Sequence, residues 1–410
     1  MAVAFWTLIG LVALAYVGYP ALLAVLVSVL RRRPQAADAT PSLTLLIPAF
    51  NEEHSLGAKL DSCLSLDYPR DSLQIVVLSD GSTDGTNAIA ATYAERGIEL
   101  MAFPQNRGKL AVLRDGVAAA RGEIVAFSDA ACRLMPDSLR RLVRPFADPA
   151  VGCVSGVYRV LRPEAAQLGG EEGLYWKYET FIKRCESDLG SILGAHGSLY
   201  AIRRDLCPDL ARIRVNDDYE IPVQIVAGGH RAVYAPDAVA CEEATEMGGF
   251  ARRVRIAVGN FRQLRLLGLL LWPPRPWLVL GFIAHKFLRL LGPGLLVAAL
   301  VLNFLLPGPF YRAVLVAQLA FYGLALAGWL GGECYGWLAQ PWPRLDEPTV
   351  ALPLRLRVPL LKLPFYFCMI NAAYVAGLLH LVSGRGRPRW NAPRPCPAEK
   401  APPPSPSGRG

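Results

Sequence analysis

Two short acidic runs each follow an apolar stretch. The first, Ser79-Asp80-Gly81-Ser82-Thr83-Asp84-Gly85-Thr86, comes after Gln74–Leu78. The second, Ser128-Asp129-Ala130-Ala131, comes after Glu123–Phe127. In an open parallel sheet, ligands bind in the crevice beyond the carboxyl ends of the strands. Carboxylates placed there, beside glycines that let a backbone approach closely, suit a nucleotide diphosphate. Gly108-Lys109 at a helix start adds backbone N–H groups and an ammonium, which favour phosphate. A solvated lysine at a helix start fits those two residues equally well. Asp84 reads more as a helix N-cap than as a ligand.

These residues need a scaffold that exposes strand ends. Leu43–Ile47, Gln74–Leu78, Ile98–Phe103 and Glu123–Phe127 read as buried strands. Helical spacing marks Glu52–Leu66, Asp84–Arg96, Gly108–Ala120 and Pro136–Phe146, with Asn51 a suitable N-cap for the first. The alternation predicts an α/β fold: a mostly parallel sheet with helices on both faces.

The flanks differ in character. Over the whole chain of 410 residues, 53% are hydrophobic, and that excess gathers at the two ends. Ala2–Leu30 is long enough to span a membrane and precedes Arg31-Arg32-Arg33. The positive-inside rule puts residue 31 onward in the cytoplasm, at the inner (plasma) membrane. The expected organisation is a transmembrane helix at 1–30 and a cytoplasmic catalytic domain at 40–247. An interfacial amphipathic helix at 248–276 follows, then a membrane bundle at 277–383 and a basic, Pro-rich disordered tail at 384–410. Leu288–Leu306, Arg312–Leu330 and Leu360–Val382 are the later span candidates. That count leaves the C-terminus outside, whereas Arg385, Arg387, Arg389 and Arg394 argue for the inside. Either one late segment is re-entrant or the count is off. The net charge of +9 sits largely beside apolar stretches, which fits an anionic membrane surface. Basic clusters interleaved with aromatics are missing from the middle, which excludes nucleic acid as partner. Nine cysteines without a CxxC pair read as free thiols in a reducing compartment.

In order along the chain stand Leu46-Ile47-Pro48-Ala49-Phe50-Asn51-Glu52-Glu53, the Asp80 run, Asn106-Arg107-Gly108-Lys109, Ser128-Asp129-Ala130 and Asn216-Asp217-Asp218-Tyr219-Glu220. Over residues 40–265 this set resembles the family 2 glycosyltransferases, the inverting, membrane-associated group with a GT-A fold, some of them polysaccharide-synthase-like. The resemblance implies transfer from a nucleotide-diphospho-sugar, UDP-linked by expectation. The acceptor would be a hydroxyl of a lipid-linked or growing glycan at the cytoplasmic face.

It also implies roles. Pro48, Ala49, Asn51 and Glu52 would contact the nucleoside, and Asp80 the base. Gly108, Lys109 and Arg255 would meet the diphosphate. Asp129 would hold Mg²⁺ or Mn²⁺, although Ala131 replaces the second carboxylate of the usual DxD. Asp218 would be the catalytic base, its pKa raised by Asp217. His196 and Gly197 would line the acceptor side. A turn with a helix cap accounts for Asn51 and Glu52 as well, and a basic surface helix accounts for Arg255. Ile256 stands where processive members carry Trp, which weighs against polymer synthesis. Two alternatives stay open: a processive synthase with coupled export, and a non-catalytic membrane partner of a glycan-assembly complex.

Overall fold

The computed structural model describes residues 1–161, 170–213, 216–243, 249–271, 276–330 and 359–383. An apolar helix leads: α1 (Ala2–Ala13) passes through a π-helical turn, Leu14–Gly18, into α2 (Tyr19–Leu30). The core then runs β1 (Leu43–Ala49), α3 (Glu53–Leu64), β2 (Leu73–Asp80), α4 (Thr86–Ala91), β3 (Ile98–Phe103), α5 (Lys109–Ala119) and β4 (Ile124–Phe127). Its second part holds β5 (Arg133–Leu134), α6 (Ser138–Val143), β6 (Val151–Leu161), α7 (Gly170–Leu189), β7 (Tyr200–Arg203), α8 (Asp217–Ala227) and β8 (Arg231–Glu243). The remaining helices are α9 (Gly249–Gln263), α10 (Leu267–Leu271), α11 (Pro276–Gly281), α12 (Leu288–Leu305), α13 (Pro309–Leu330) and α14 (Pro359–Val382). A π-helical turn, Phe282–Phe287, joins α11 to α12.

The α/β expectation is borne out. The sheet has eight strands in the order β3-β2-β1-β4-β7-β6-β8-β5. Strands β3, β2, β1 and β4 pair in parallel, as the βα alternation requires. Beyond β4 the sheet is mixed. β7 runs antiparallel to β4 and to β6, β5 antiparallel to β8, and β6 parallel to β8. Reversal at β7 matters for function, because it brings the start of one strand beside the end of another. Phe127, the last residue of β4, lies opposite Tyr200, the first of β7.

β1 is buried along its whole length, so both its faces carry apolar residues. Leu43, Leu45 and Ile47 pack with α3 residues Leu56, Leu60 and Cys63. Leu46 packs on the other face with Val112 and Leu113 of α5. Burying such side chains contributes roughly 1.5–3 kcal/mol each. Pro48 sits in this central strand without breaking it. The Leu46 carbonyl accepts from Ser128 on the β4 side, so Pro48, two residues on, faces the same side. There β4 pairing has ended at Phe127, and no ladder donor is lost.

Four helical stretches are long and apolar enough to cross a membrane: Ala2–Leu30, Trp277–Leu305, Pro309–Trp329 and Leu363–Val382. The stretch 248–276, expected as one helix, is divided by a 3₁₀ turn at Leu264–Leu266. Its α9 packs along α14, where Gly377 leaves space for Ala257. The tail at 384–410 lies outside the described residues.

Gly122 lets β1 and β4 meet at their beginnings. A Cβ there would stand 2.5 Å from the Thr44 nitrogen and 2.7 Å from the Leu43 carbonyl carbon. Both are backbone atoms and cannot swing aside. Gly122→Ala should cost about 1–3 kcal/mol, seen as a thermal midpoint several degrees lower in detergent. An unchanged midpoint would contradict this packing.

Candidate active site

The site is built at the ends of β1, β2 and β4 and the start of α8. Asp129 follows β4, with its side chain 43% exposed to the cleft. Asp217 opens α8 and is buried, while Asp218 beside it is half-buried. Lys109, first residue of α5, joins them. Its Nζ lies 3.1 Å from Asp129 Oδ1 and 3.3 Å from Asp217 Oδ2. Tyr200 Oη donates to Asp217 Oδ2 at 3.0 Å.

Gly197 occupies the gap between the two outer carboxylates. A Cβ there would lie 3.2 Å from Asp218 Oδ2 and 3.6 Å from Asp129 Oδ2. Any side chain would therefore fill the space the carboxylates face. The antiparallel turn into β7 is what carries this loop across the end of β4.

Electrostatics follow from this crowding. Burial pushes the Asp218 carboxyl up to about 7, and the neighbouring Asp217 charge adds to it. Burial works against the Lys109 ammonium, but Asp129, Asp217 and Asp218 outweigh it and hold its pKa above the usual value. His196 is held well below the usual histidine range by burial and then by Lys183, so its ring is neutral at physiological pH. Its ring packs 5.9 Å from that of Tyr234.

Several residues expected to touch a ligand also hold the frame together. Asp80, expected on the donor base, is fully buried. Its two oxygens accept from the backbone N–H groups of Arg107 and Gly108, at 2.7 and 2.8 Å. It fixes the loop that launches Lys109. Asn51 is not the cap of α3: Glu52 holds that position. Asn51 is in the left-handed region, at φ 54°, and its Oδ1 accepts from Thr83 N at 2.9 Å. Asp84 accepts from the first N–H of α3, at Glu53, and from the first of α4, at Thr86. The Glu53 carboxylate in turn accepts from Gly85 N at 2.8 Å. Pro48 and Ala49 are buried strand residues, and Gly108 takes a φ of 90° that suits glycine. Glu52 is half-buried at the cleft, and its N–H donates to Thr86 Oγ1 at 2.8 Å. Arg255 is exposed on α9, one turn before Gly259, which abuts the Asn216 side chain.

Two supporting residues escaped the sequence reading. Lys59 is wholly buried, and burial lowers its pKa. Its Nζ donates to Ser128 Oγ at 2.6 Å and to the Cys132 carbonyl at 2.7 Å. Ser128 Oγ donates on to the Ser198 carbonyl at 2.6 Å. One lysine thus pins both the Asp129 turn and the Gly197 loop. The available signal was a lysine on the apolar face of α3, among Leu56, Leu60 and Cys63. Tyr200, stacked on Phe127 at 4.6 Å, stands just after His196 and Gly197 in the sequence, and nothing there marks it as the partner of Asp217.

Among the described residues no group of three or more His, Cys, Asp or Glu could by itself cage a metal. The donor set still suits Mg²⁺ or Mn²⁺, because Asp129 is open to the cleft. Such hard cations accept most of their ligands from phosphate oxygens and water.

The profile of glycosyl transferase family 2 matches residues 44–210. A mannosyltransferase from Pyrobaculum calidifontis, solved in complex with GDP-Man and Mn²⁺, superposes with a TM-score of 0.66. It is 25% identical, and the alignment covers 93% of this chain and 99% of that one. A dolichyl-phosphate β-glucosyltransferase of Drosophila melanogaster is 36% identical over 105 residues, 23% of this chain and 32% of that protein. A glycosyltransferase of Haloferax volcanii is 23% identical over 229 residues, 54% of this chain and 74% of that protein. A succinoglycan biosynthesis protein of Rhizobium meliloti is 31% identical over 110 residues, 27% of this chain, and there too the chain spans only 31% of the relative's length. Residues 44–210 thus match the glycosyl transferase family 2 model, and the strand order and the Pyrobaculum neighbour show a GT-A-like fold.

Proposed function

We propose that the chain is an inverting glycosyltransferase that moves a sugar from a nucleotide-diphospho-sugar to a hydroxyl of a lipid-linked or glycan acceptor at the cytoplasmic membrane face. The observation that carries this is Asp218: a carboxyl raised to about 7, facing Asp129 across the gap kept open by Gly197. A base must be partly ionised at working pH and basic enough to take a proton, and that value meets both demands. The acceptor O–H gives its proton to Asp218 as the oxygen bonds to the anomeric carbon. The bond from that carbon to the diphosphate breaks, and the diphosphate leaves with the electron pair. Asp129 with a divalent cation would lie on the diphosphate, and the cation supplies charge neutralisation to the leaving group. Lys109 balances the three carboxylates so that Asp218 still ionises near neutrality. The nucleotide is expected to be UDP; the Pyrobaculum neighbour's GDP-Man makes GDP-sugars the second donor class to assay. The arginines at 31–33, after the first apolar helix, support the cytoplasmic placement.

Asp218→Asn should retain UDP or GDP binding by calorimetry while turnover falls by roughly 10²–10⁴-fold. Normal turnover in the purified variant rejects the assignment. The pH profile has a defined sign. The active form is deprotonated, so kcat/KM should rise with pH through about 7 and fall below it. Lys109 lowers the Asp218 pKa, so Lys109→Met should move that acidic limb upward; a limb that stays or moves down contradicts the role. EDTA should abolish transfer and added Mn²⁺ or Mg²⁺ restore it, read as nucleotide release.

A further inference from the structure

A cavity of about 430 Å³ lies between the first two apolar helices and the sheet domain. That volume is enough to hold a small-molecule ligand. Its two parts differ in chemistry. Leu22, Leu23 and Leu26 of α2 line it, and Leu278 and Leu280 of α11 face it as well. The rest of the lining includes Arg32, His230 and Arg231. These three stand together, because Arg231 Nη2 donates to the Arg32 carbonyl at 2.7 Å.

The same helices set the level of the cavity. α2 ends at Leu30, and three arginines follow. Trp277 opens the apolar stretch Trp277–Leu305, lines the cavity and is 53% exposed. Arginines just after an apolar helix, and a tryptophan at the start of another, mark a membrane–water boundary. The leucines lie on the apolar side of those markers and the arginines on the water side.

Charge at the mouth does not cancel. Arg31 and Arg33 share Asp188, at 3.0 and 3.7 Å. Arg231 faces Asp148 at 3.6 Å and gives its other donors to the carbonyls of Ser187, Gly190 and Arg32. Glu186, an acid of the lining, accepts from Tyr19 Oη and meets His285 Nδ1. The Arg32 side chain has no ion pair or hydrogen bond among the described residues. Burial lowers the Arg231 pKa, Asp148 raises it, and the charge of Arg32 lowers it again. Four arginines thus meet two aspartates, and an anion beside Arg32 relieves the excess.

The cavity is separate from the carboxylate cleft. Arg231 opens β8, which pairs in parallel with β6, and β6 and β4 both run antiparallel to β7. The start of β8 therefore lies at the end of the sheet where β4 begins. Asp129 follows the opposite end of β4.

We propose that this cavity binds one anionic phospholipid, with an acyl chain among the leucines and the phosphate at Arg32 and His230. It is a resident lipid that seats the catalytic domain on the bilayer, and it is not the sugar acceptor. The site does not depend on the glycosyltransferase reading. A guanidinium matches two phosphate oxygens with parallel hydrogen bonds, and basic residues at a cytoplasmic boundary attract anionic headgroups. A zwitterionic head brings its own ammonium and leaves the excess of positive charge in place.

The full chain, delipidated in neutral detergent, can be titrated with phosphatidylglycerol, with phosphatidylcholine of the same acyl chains, and with glycerol 3-phosphate. The thermal midpoint and the phosphorus retained after gel filtration are the readouts. Phosphatidylglycerol should raise the midpoint, saturate near one lipid per chain, and bind at least about 10-fold more tightly than phosphatidylcholine. Arg32→Gln should lose about 10-fold of that affinity. Its midpoint before lipid is added should be unchanged, because the Arg32 side chain holds nothing in the protein. Leu22→Trp, which fills the apolar part from its half-exposed side, should weaken both lipids. Equal affinity for the two lipids overturns the anionic head. A gain matched by glycerol 3-phosphate overturns the acyl chain. Retention of many lipids without saturation, the same in both variants, overturns the site. UDP titrated on the same preparation keeps the two claims apart: lipid bound without nucleotide counts against sugar transfer alone, and nucleotide bound without lipid sinks the lipid site alone.

Discussion

One ammonium group holds three carboxylates in one cleft. Asp129, Asp217 and Asp218 come from two distant parts of the chain, and like charges this close repel unless something balances them. Lys109 Nζ touches two of them and lies within the field of the third. Its position is therefore the constraint on which the rest depends. Asp80 meets that constraint from beneath. By closing both oxygens on the N–H groups of Arg107 and Gly108, it fixes where α5 starts and hence where the lysine stem rises. Tyr200 meets it from the other side, holding Asp217 so that Asp218 keeps the outward position. The division of labour is physical: the buried acid of the pair has a hydroxyl and an ammonium to satisfy it, and the other is left with burial that raises its proton affinity.

The mixed sheet follows from the same requirement. Four parallel strands alone place their carboxyl ends in a row and offer one wall of a cleft. Opposing that wall takes a segment that enters the sheet from the same end, and an antiparallel strand does this. β7 begins where β4 stops, so the loop before it, with His196 and Gly197, crosses the mouth of the site. Lys59 then ties the two walls through Ser128 and Ser198. A buried ammonium is costly in itself; here two short hydrogen bonds offset it. Its location under the Asp129 turn means that the Asp129 turn and the Gly197 loop share one anchor.

The first half of the fold was legible because its information is local. Leu43–Ile47 and Gln74–Leu78 are short apolar runs with turn residues around them, and the helices between them carry their own spacing. The second half was not, because β5 to β8 are paired through residues far apart in sequence: β7 lies against β4 across more than seventy residues, and no local pattern records that. Side-chain roles show the same split. The Asp129–Asp218 cleft was legible from the order of the motifs. The loop bonds of Asp80 and Asn51 were not legible, because an acid or amide at a strand end looks the same whether it faces a ligand or the next loop. Lys59 was passed over because a lysine in a helix is ordinarily solvated.

The wall that carries His196 and Gly197 is also tied to the apolar helices, and by charge as well as by packing. α7 presents Glu179 and Glu186 two turns apart, and His285 lies between them with a ring nitrogen against each. Tyr19 from the first apolar helix and Arg289 from the second complete the cluster, and Tyr178 Oη reaches back to the Tyr16 carbonyl at 2.8 Å. Burial alone raises the pKa of Glu179, yet Arg289 and His285 hold it well below the usual carboxylate range. Removing one partner leaves an uncompensated buried charge, which is worth several kcal/mol, about 3–5. Both apolar helices change to π geometry at this level, at Leu14–Gly18 and Phe282–Phe287. A π turn widens the helix by one residue and re-aims its side chains; within the second of these turns His285 points toward Glu179 and Glu186 of α7. The cleft thus has one wall set by the sheet and one set by the apolar helices. An acceptor held by the second wall is positioned against a donor held by the first, because Lys59 and Lys109 fix the two walls to each other.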